Sequence, residues 1–136
     1  MNVPYILYTN TGRIEATGSC AKSMVQAQDG VQGLSVLEGE GREETQYVDI
    51  STNPPVIKDR LPFPGKQNKT RILANGLDEW IVTGLPTGTK VVWPDGVISV
   101  INDGSLQFTV DLPGKYTFRI DPFPYLEEEV SVEAVT

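Results

Sequence analysis

The sequence predicts a mainly β protein: a small α+β domain of order β-β-α-β-β, followed by an antiparallel β-sandwich. Three observations carry that prediction. Residues 70–135 contain short runs of β-branched and aromatic side chains between Gly, Pro, Asn and Asp turn signals, with no helical stretch. Residues 1–50 contain one short helix candidate among strand-like runs. Between the two patterns lies STNPPVIKDRLPFPGKQNK, residues 51–69, where Pro54, Pro55, Pro62 and Pro64 remove amide donors and hold the chain extended. The expected domains are therefore 1–65, ending in this spacer, and 68–136, with the break near Gly65 to Asn68.

In the first half, YILYT and RIEAT flank Asn10-Thr11-Gly12, which reads as a hairpin with Gly12 supplying positive φ at the turn. A short helix is expected next. Ser19 is placed to cap it, Ala21, Met24, Val25 and Gln28 share a face, and Asp29-Gly30 stops it. At about two turns it needs a sheet to pack on. LSVLEG at 34–39 and TQYVDIS at 45–51 are the remaining strands, joined by the polar turn Glu40 to Glu44.

In the second half, strands are expected in TRILA, EWIVTGL, TKVVW, VISVI, SLQFTVDL, KYTFRI and EVSVEAV. Seven strands turned every ten residues or so describe an all-β sandwich. Leu106, Phe108 and Val110 point one way while Gln107, Thr109 and Asp111 point the other; Tyr116, Phe118 and Ile120 repeat the alternation. Trp80 or Trp93 can fill the space between sheets, and the lack of cysteine in this half leaves the sandwich Ig-like in architecture only.

The totals narrow the function. The 136 residues carry 11 basic and 18 acidic side chains, net -7, with six basic and eight acidic in 1–67 against five and ten in 68–136. A phosphate-backbone partner needs clustered Lys and Arg, so nucleic acid is not expected. There is no histidine, which removes the commonest general base and the commonest metal ligand. The single Cys20 cannot close an intrachain bridge, in keeping with assembly in a reducing cytoplasm. No window approaches a membrane span and Met1 leads into no basic, apolar leader, so the chain is expected to be soluble, without membrane insertion, and unprocessed.

The motifs that could carry chemistry read better as structure. PFPYLEEEV, residues 122–130, holds three glutamates that could be paired for glycoside hydrolysis or serve as calcium ligands. In a strand starting near Leu126, however, Glu127, Glu129 and Glu133 line the solvent face, Glu128 sits at the rim, and the proline-aromatic run before them is a corner. Asp95-Gly96 and Asn102-Asp103-Gly104 lack the alternating ligands and closing glutamate of a calcium loop and read as hairpin turns. Gly84 to Lys90 has the wrong order for a phosphate loop and runs into a strand. Cys20 has no basic partner and reads as a small hydrophobe. Tyr8, Tyr47, Trp80 and Trp93 could stack on sugars, although core positions suit them better. No catalytic, cofactor or metal residue is assigned, and no enzyme activity is expected.

Along its whole length the chain resembles small virion proteins encoded in the tail regions of bacteriophages and prophages. The resemblance lies in TGRIEATGSC, SVLEGEG and QYVDIST before the spacer, then ILANGLDEWIVTGLP, DGSLQFTVDLPGKYTFRI and PFPYLEEEV. It implies a small N-terminal domain, an Ig-like C-terminal domain and a structural role as a tail accessory or adaptor at the tail tip, baseplate or collar, where fibres attach. The implied location is the virion, assembled in the host bacterial cytoplasm. The implied partners are other virion proteins (tail, collar or fibre subunits) and copies of the chain itself. Alternative roles are a head decoration protein, a fibre-assembly chaperone or, in another class, a carbohydrate-binding adhesion module. The protein-contact candidates are Asn10, Thr11 and Gly12 at the hairpin tip, Glu40 and Arg42 in the polar turn, and Pro54, Pro55, Pro62 and Phe63 in the spacer.

Overall fold

A computed structural model of the chain describes residues 1–136 and divides them into two compact units, Met1–Leu61 and Pro62–Thr136. The protein is mainly β, as its turn spacing and alternation predict.

In the first unit, β1 (Asn2–Tyr8) and β2 (Ile14–Ala21) form the expected hairpin, and β3 (Ser35–Glu38) pairs with the other side of β1. Gly12, at φ 94°, closes the turn with its N–H donating to the Thr9 carbonyl at 3.0 Å. The second hairpin, β4 (Gln46–Asp49) with β5 (Val56–Asp59), is a separate two-stranded sheet. Apolar side chains hold these pieces together: Ile6, Ile14 and Val48 are buried, with Tyr8, Leu37 and Ile57 packed against them. Gly41 lies over this core, where a Cβ would come within 2.9 Å of Ile6 Cγ2.

Two expectations for this unit are corrected. The helix is a 3-10 segment, Lys22–Gln28, because Ser19 is still inside β2 and no side chain caps the turn. Only Val25 of that segment is buried, so no apolar stripe is available to extend it as an α-helix. The order β-β-α-β-β on one sheet gives way to a three-stranded sheet, β2-β1-β3, with a hairpin apart from it.

The proline-rich stretch is not a free spacer. Val56 to Asp59 is the return strand of a hairpin, and β6 (Lys66–Gln67) belongs to the second unit, pairing with β8 (Trp80–Thr83). Phe63 packs on the core of that unit, so the break falls at Leu61 and Pro62, ahead of the expected Gly65.

The second unit contains all seven expected strands. After β6 come β7 (Arg71–Leu73), β8, β9 (Thr89–Val92), β10 (Ile98–Ile101), β11 (Leu106–Phe108), β12 (Gly114–Asp121) and β13 (Glu128–Val135). One sheet is ordered β10-β9-β12-β13-β7 and the other β11-β8-β6. The β7–β13 pair is parallel and every other pair is antiparallel. Both sheets supply the core: Trp80, Val82 and Leu106 from one; Ile72, Val91, Phe118, Ile120, Val130, Val132 and Ala134 from the other. Trp80 and Phe118 have ring centroids 4.9 Å apart, and Trp93 meets Phe118 edge-on at 5.2 Å. These rings occupy the space that a disulfide spans in antibody domains.

Candidate functional site

Two surfaces concentrate the exposed chemistry, one in each unit. In the first unit, a shallow groove of about 740 Å³ runs past Tyr5, Gly18, Glu40, Arg42, Gln46 and Asp59. Its floor depends on a missing side chain: a Cβ on Gly18 would lie 2.6 Å from the Tyr5 hydroxyl oxygen, so only glycine lets that ring cross β2. One wall is a polar relay. Gln46 Nε2 donates to Asp59 Oδ1 at 2.9 Å, while its Oε1 accepts the Arg42 N–H at 3.1 Å.

Beside the groove, Arg60 is only 7% exposed. Its Nη2 donates to the Glu43 carbonyl at 2.7 Å and its Nε to the Gln46 carbonyl at 3.2 Å, pinning the turn from within. Sequence reasoning missed this residue. Its signal, an arginine between a strand and Leu61-Pro62, is local and weak, whereas its role is set by carbonyls 14 and 17 residues earlier.

Nearby on the β4–β5 hairpin, the Lys58 ammonium donates to Asp49 Oδ2 at 2.7 Å. This hydrogen bond, supported by Ser51, holds the Asp49 carboxyl at about 2, below its usual 3.8.

The expected contact residues divide between the units. Glu40 and Arg42 line the groove. Asn10 and Thr11 are exposed at the hairpin tip, but Gly12 is buried, its carbonyl accepting the Val48 N–H at 2.8 Å. Pro54 is exposed and Pro55 half-buried in the β4–β5 loop. Pro62 is exposed, whereas Phe63 is half-buried as a core-packing ring, because the neighbouring Gly65 leaves space for it.

The second surface is the outer face of the five-stranded sheet. Arg119 on β12 lies between two members of the acidic triplet, with Nε 3.1 Å from Glu127 Oε1 and Nη2 3.5 Å from Glu129 Oε1. Glu133 meets Arg71 at 3.7 Å. Val130, Val132 and Ala134 point inward between them, as alternation predicts. The triplet is thus part of a charge-compensated, solvated strand face. The corner before it closes through the Tyr125 N–H, which donates to the Pro122 carbonyl at 2.8 Å.

Toward β10 the character of this face changes. Val97, Ile98 and Val100 are 56%, 60% and 58% exposed, and no charged side chain lies on the strand. Of the aromatic residues considered for sugar stacking, Trp80 is fully buried with its Nε1 donating to Gln67, and Trp93 is turned onto Phe118 with its Nε1 donating to Ser99. Those two rings fill the core because it is where the sheets meet.

No family model, curated protein or solved structure matches the chain. No cluster of three or more Cys, Asp or Glu side chains is arranged to hold a metal ion, and no helix is long and apolar enough to cross a membrane.

Proposed function

We propose that this chain is a structural protein of a bacteriophage virion, an accessory or adaptor of the tail that works through protein–protein contacts. The observation that carries the reading is the uncovered strand β10, where Ile98 and Val100, with Val97 just before them, stand more than half exposed at the edge of a sheet that carries Arg119, Glu129 and Glu133 on its inner strands. Water-exposed apolar side chains along a free sheet edge are stabilised when another chain covers them.

The first unit adds support. Its buried cluster is Ile6, Ile14 and Val48, a small core for Met1–Leu61, and units of that size gain stability by burying surface in an assembly. The phage origin rests on the resemblance of the sequence pattern to tail-region virion proteins.

Mass spectrometry of purified particles from the phage that encodes the chain tests the proposal. The expected result is a stoichiometric virion component, with particles lacking it defective in tail or fibre attachment. A chain needed during assembly but missing from mature particles would be a chaperone. Specific glycan binding without particle association would make it an adhesion module.

A further inference from the structure

We propose that two copies of this chain join edge to edge through β10, as an antiparallel strand pair whose two-fold axis passes through Ser99. This rests on the protein-contact reading above and deepens it by naming the partner, a second copy, and the register.

The free backbone groups set the register. On its inner side β10 pairs with β9 as Ile98↔Val92, Ser99↔Val91, Val100↔Lys90 and Ile101↔Thr89. The Trp93 N–H donates to the Val97 carbonyl at 2.8 Å, which marks 97 and 93 as a hydrogen-bonded pair. In an antiparallel ladder such pairs alternate, so residues 97, 99 and 101 turn their backbone groups toward β9. Ile98 and Val100 turn theirs to the open edge. These two residues stand symmetrically about Ser99. An axis at Ser99 therefore sets Ile98 opposite the partner's Val100, and each pair exchanges both N–H to carbonyl bonds. Ser99 then faces its own copy as a non-hydrogen-bonded pair, with Cα atoms about 4.5 Å apart.

The side chains agree with that register. Ile98 and Val100, at 60% and 58% exposure, share the outer face, and pairing merges them with their copies into one apolar patch. Ser99 is held to the other face by Trp93 Nε1, which donates to its Oγ at 2.7 Å.

Charge selects a second copy over an unlike partner. The chain carries net -7, yet Val97 to Ile101 has no charged residue, so self-pairing sets no like charges opposite one another and leaves no charge for a foreign strand to match. The other edges of the second unit are closed to this use. On β7 the Leu73 N–H is already taken by Asp78 Oδ2 at 2.7 Å, and Arg71 places charge on the strand. Strand β6 is two residues long and carries Lys66; β11 is only three.

Sedimentation of the full chain tests this, alongside Ile98→Lys and Val100→Lys variants. Both positions are solvent-facing, so circular dichroism should be unchanged and each variant should still unfold cooperatively, losing only the concentration dependence that dimerisation gives the wild-type melt. The expected result is a wild-type dimer, at least tenfold weaker in either variant. In a Cys20→Ser background, Ser99→Cys should form a disulfide-linked dimer on mild oxidation, and adding Ile98→Lys should suppress it. A wild-type monomer at every concentration, or a dimer indifferent to both lysines, overturns the proposal. A monomeric chain that is still a stoichiometric virion component would refute the pairing and leave the virion reading intact; a β10 dimer absent from particles would do the reverse.

Discussion

The Tyr116 hydroxyl donates to the Leu112 carbonyl, four residues back, at 2.7 Å. This bond spans the turn that carries the chain from β11 in one sheet to β12 in the other, and the Tyr116 ring packs 5.2 Å from Phe108. The same device, a tyrosine at the start of a strand bonded to backbone upstream, braces Ig-like sandwiches at this corner. Tyr116→Phe keeps the ring and removes the bond, so the second unit should lose about 1 kcal/mol. Both tryptophans lie in that unit, so a denaturant titration followed by tryptophan emission reads its stability directly.

Arg60 is predicted to be the most sensitive polar residue of the first unit. Arg60→Ala strips donors from the Glu43 and Gln46 carbonyls and should cost about 2 kcal/mol, with faster amide exchange through residues 43–48. Arg60→Lys should restore little of this, because a single ammonium cannot reproduce two guanidinium bonds made in different directions.

Gly12→Ala should destabilise the same unit through the backbone. At φ 94° a side chain is strained, and its Cβ would lie 2.1 Å from the Val48 carbonyl oxygen, so the hairpin tip and β4 cannot both keep their places. A loss of about 2–3 kcal/mol is expected, together with the loss of protection at the Val48 amide. Asn10→Ala, at the exposed tip, should change stability by less than about 0.5 kcal/mol.

The Asp49–Lys58 pair predicts a defined acid response. The folded pKa of Asp49 is lowered to about 2 from 3.8, so its contribution is present above 3.8 and is lost as pH falls from there toward 2. Lys58 is raised above 10.5, chiefly by its hydrogen bond to Asp49, so its contribution is present below that value and lost as pH rises through the raised one. A carboxyl titration by NMR should place Asp49 near 2, and Lys58→Met should return it toward 3.8. A midpoint unmoved by that substitution would refute the assignment.

Glu127 and Glu129 are predicted to be nearly dispensable for folding. Their pairs with Arg119 are solvent-exposed, so Glu127→Gln or Glu129→Gln should shift stability by under about 0.5 kcal/mol, and less still in high salt. A loss several times larger in a salt-independent melt would mean that the triplet does more than solvate a strand.

The surface position of Glu40 and Arg42 is readable in the chain, because a run of glycines and charges between two strands has to lie at the surface; the groove they line is not. Phe63 was misplaced, since a phenylalanine between prolines looks the same whether it reaches outward or packs on Gly65. The exposed edge at β10 was missed altogether. VISVI reads like any core strand, and the only local hint was the absence of charge between two Asp-Gly turns.

By itself the sequence determined where most strands form and where they turn, though not β5 and β6 within the proline-rich stretch, since period-two alternation and the backbone freedom of glycine act within a few residues. It also determined the inward set of β12 and β13, from Phe118 and Ile120 to Val130 and Val132. Only the tertiary structure decided which strands pair: β3 with β1, β4 with β5 apart from them, β7 parallel to β13. It alone also decided that Arg60 is buried and that Ile98 and Val100 face water. Those outcomes depend on which distant segment arrives to cover a face or accept a hydrogen bond, and a local apolar pattern is the same whether or not that neighbour comes.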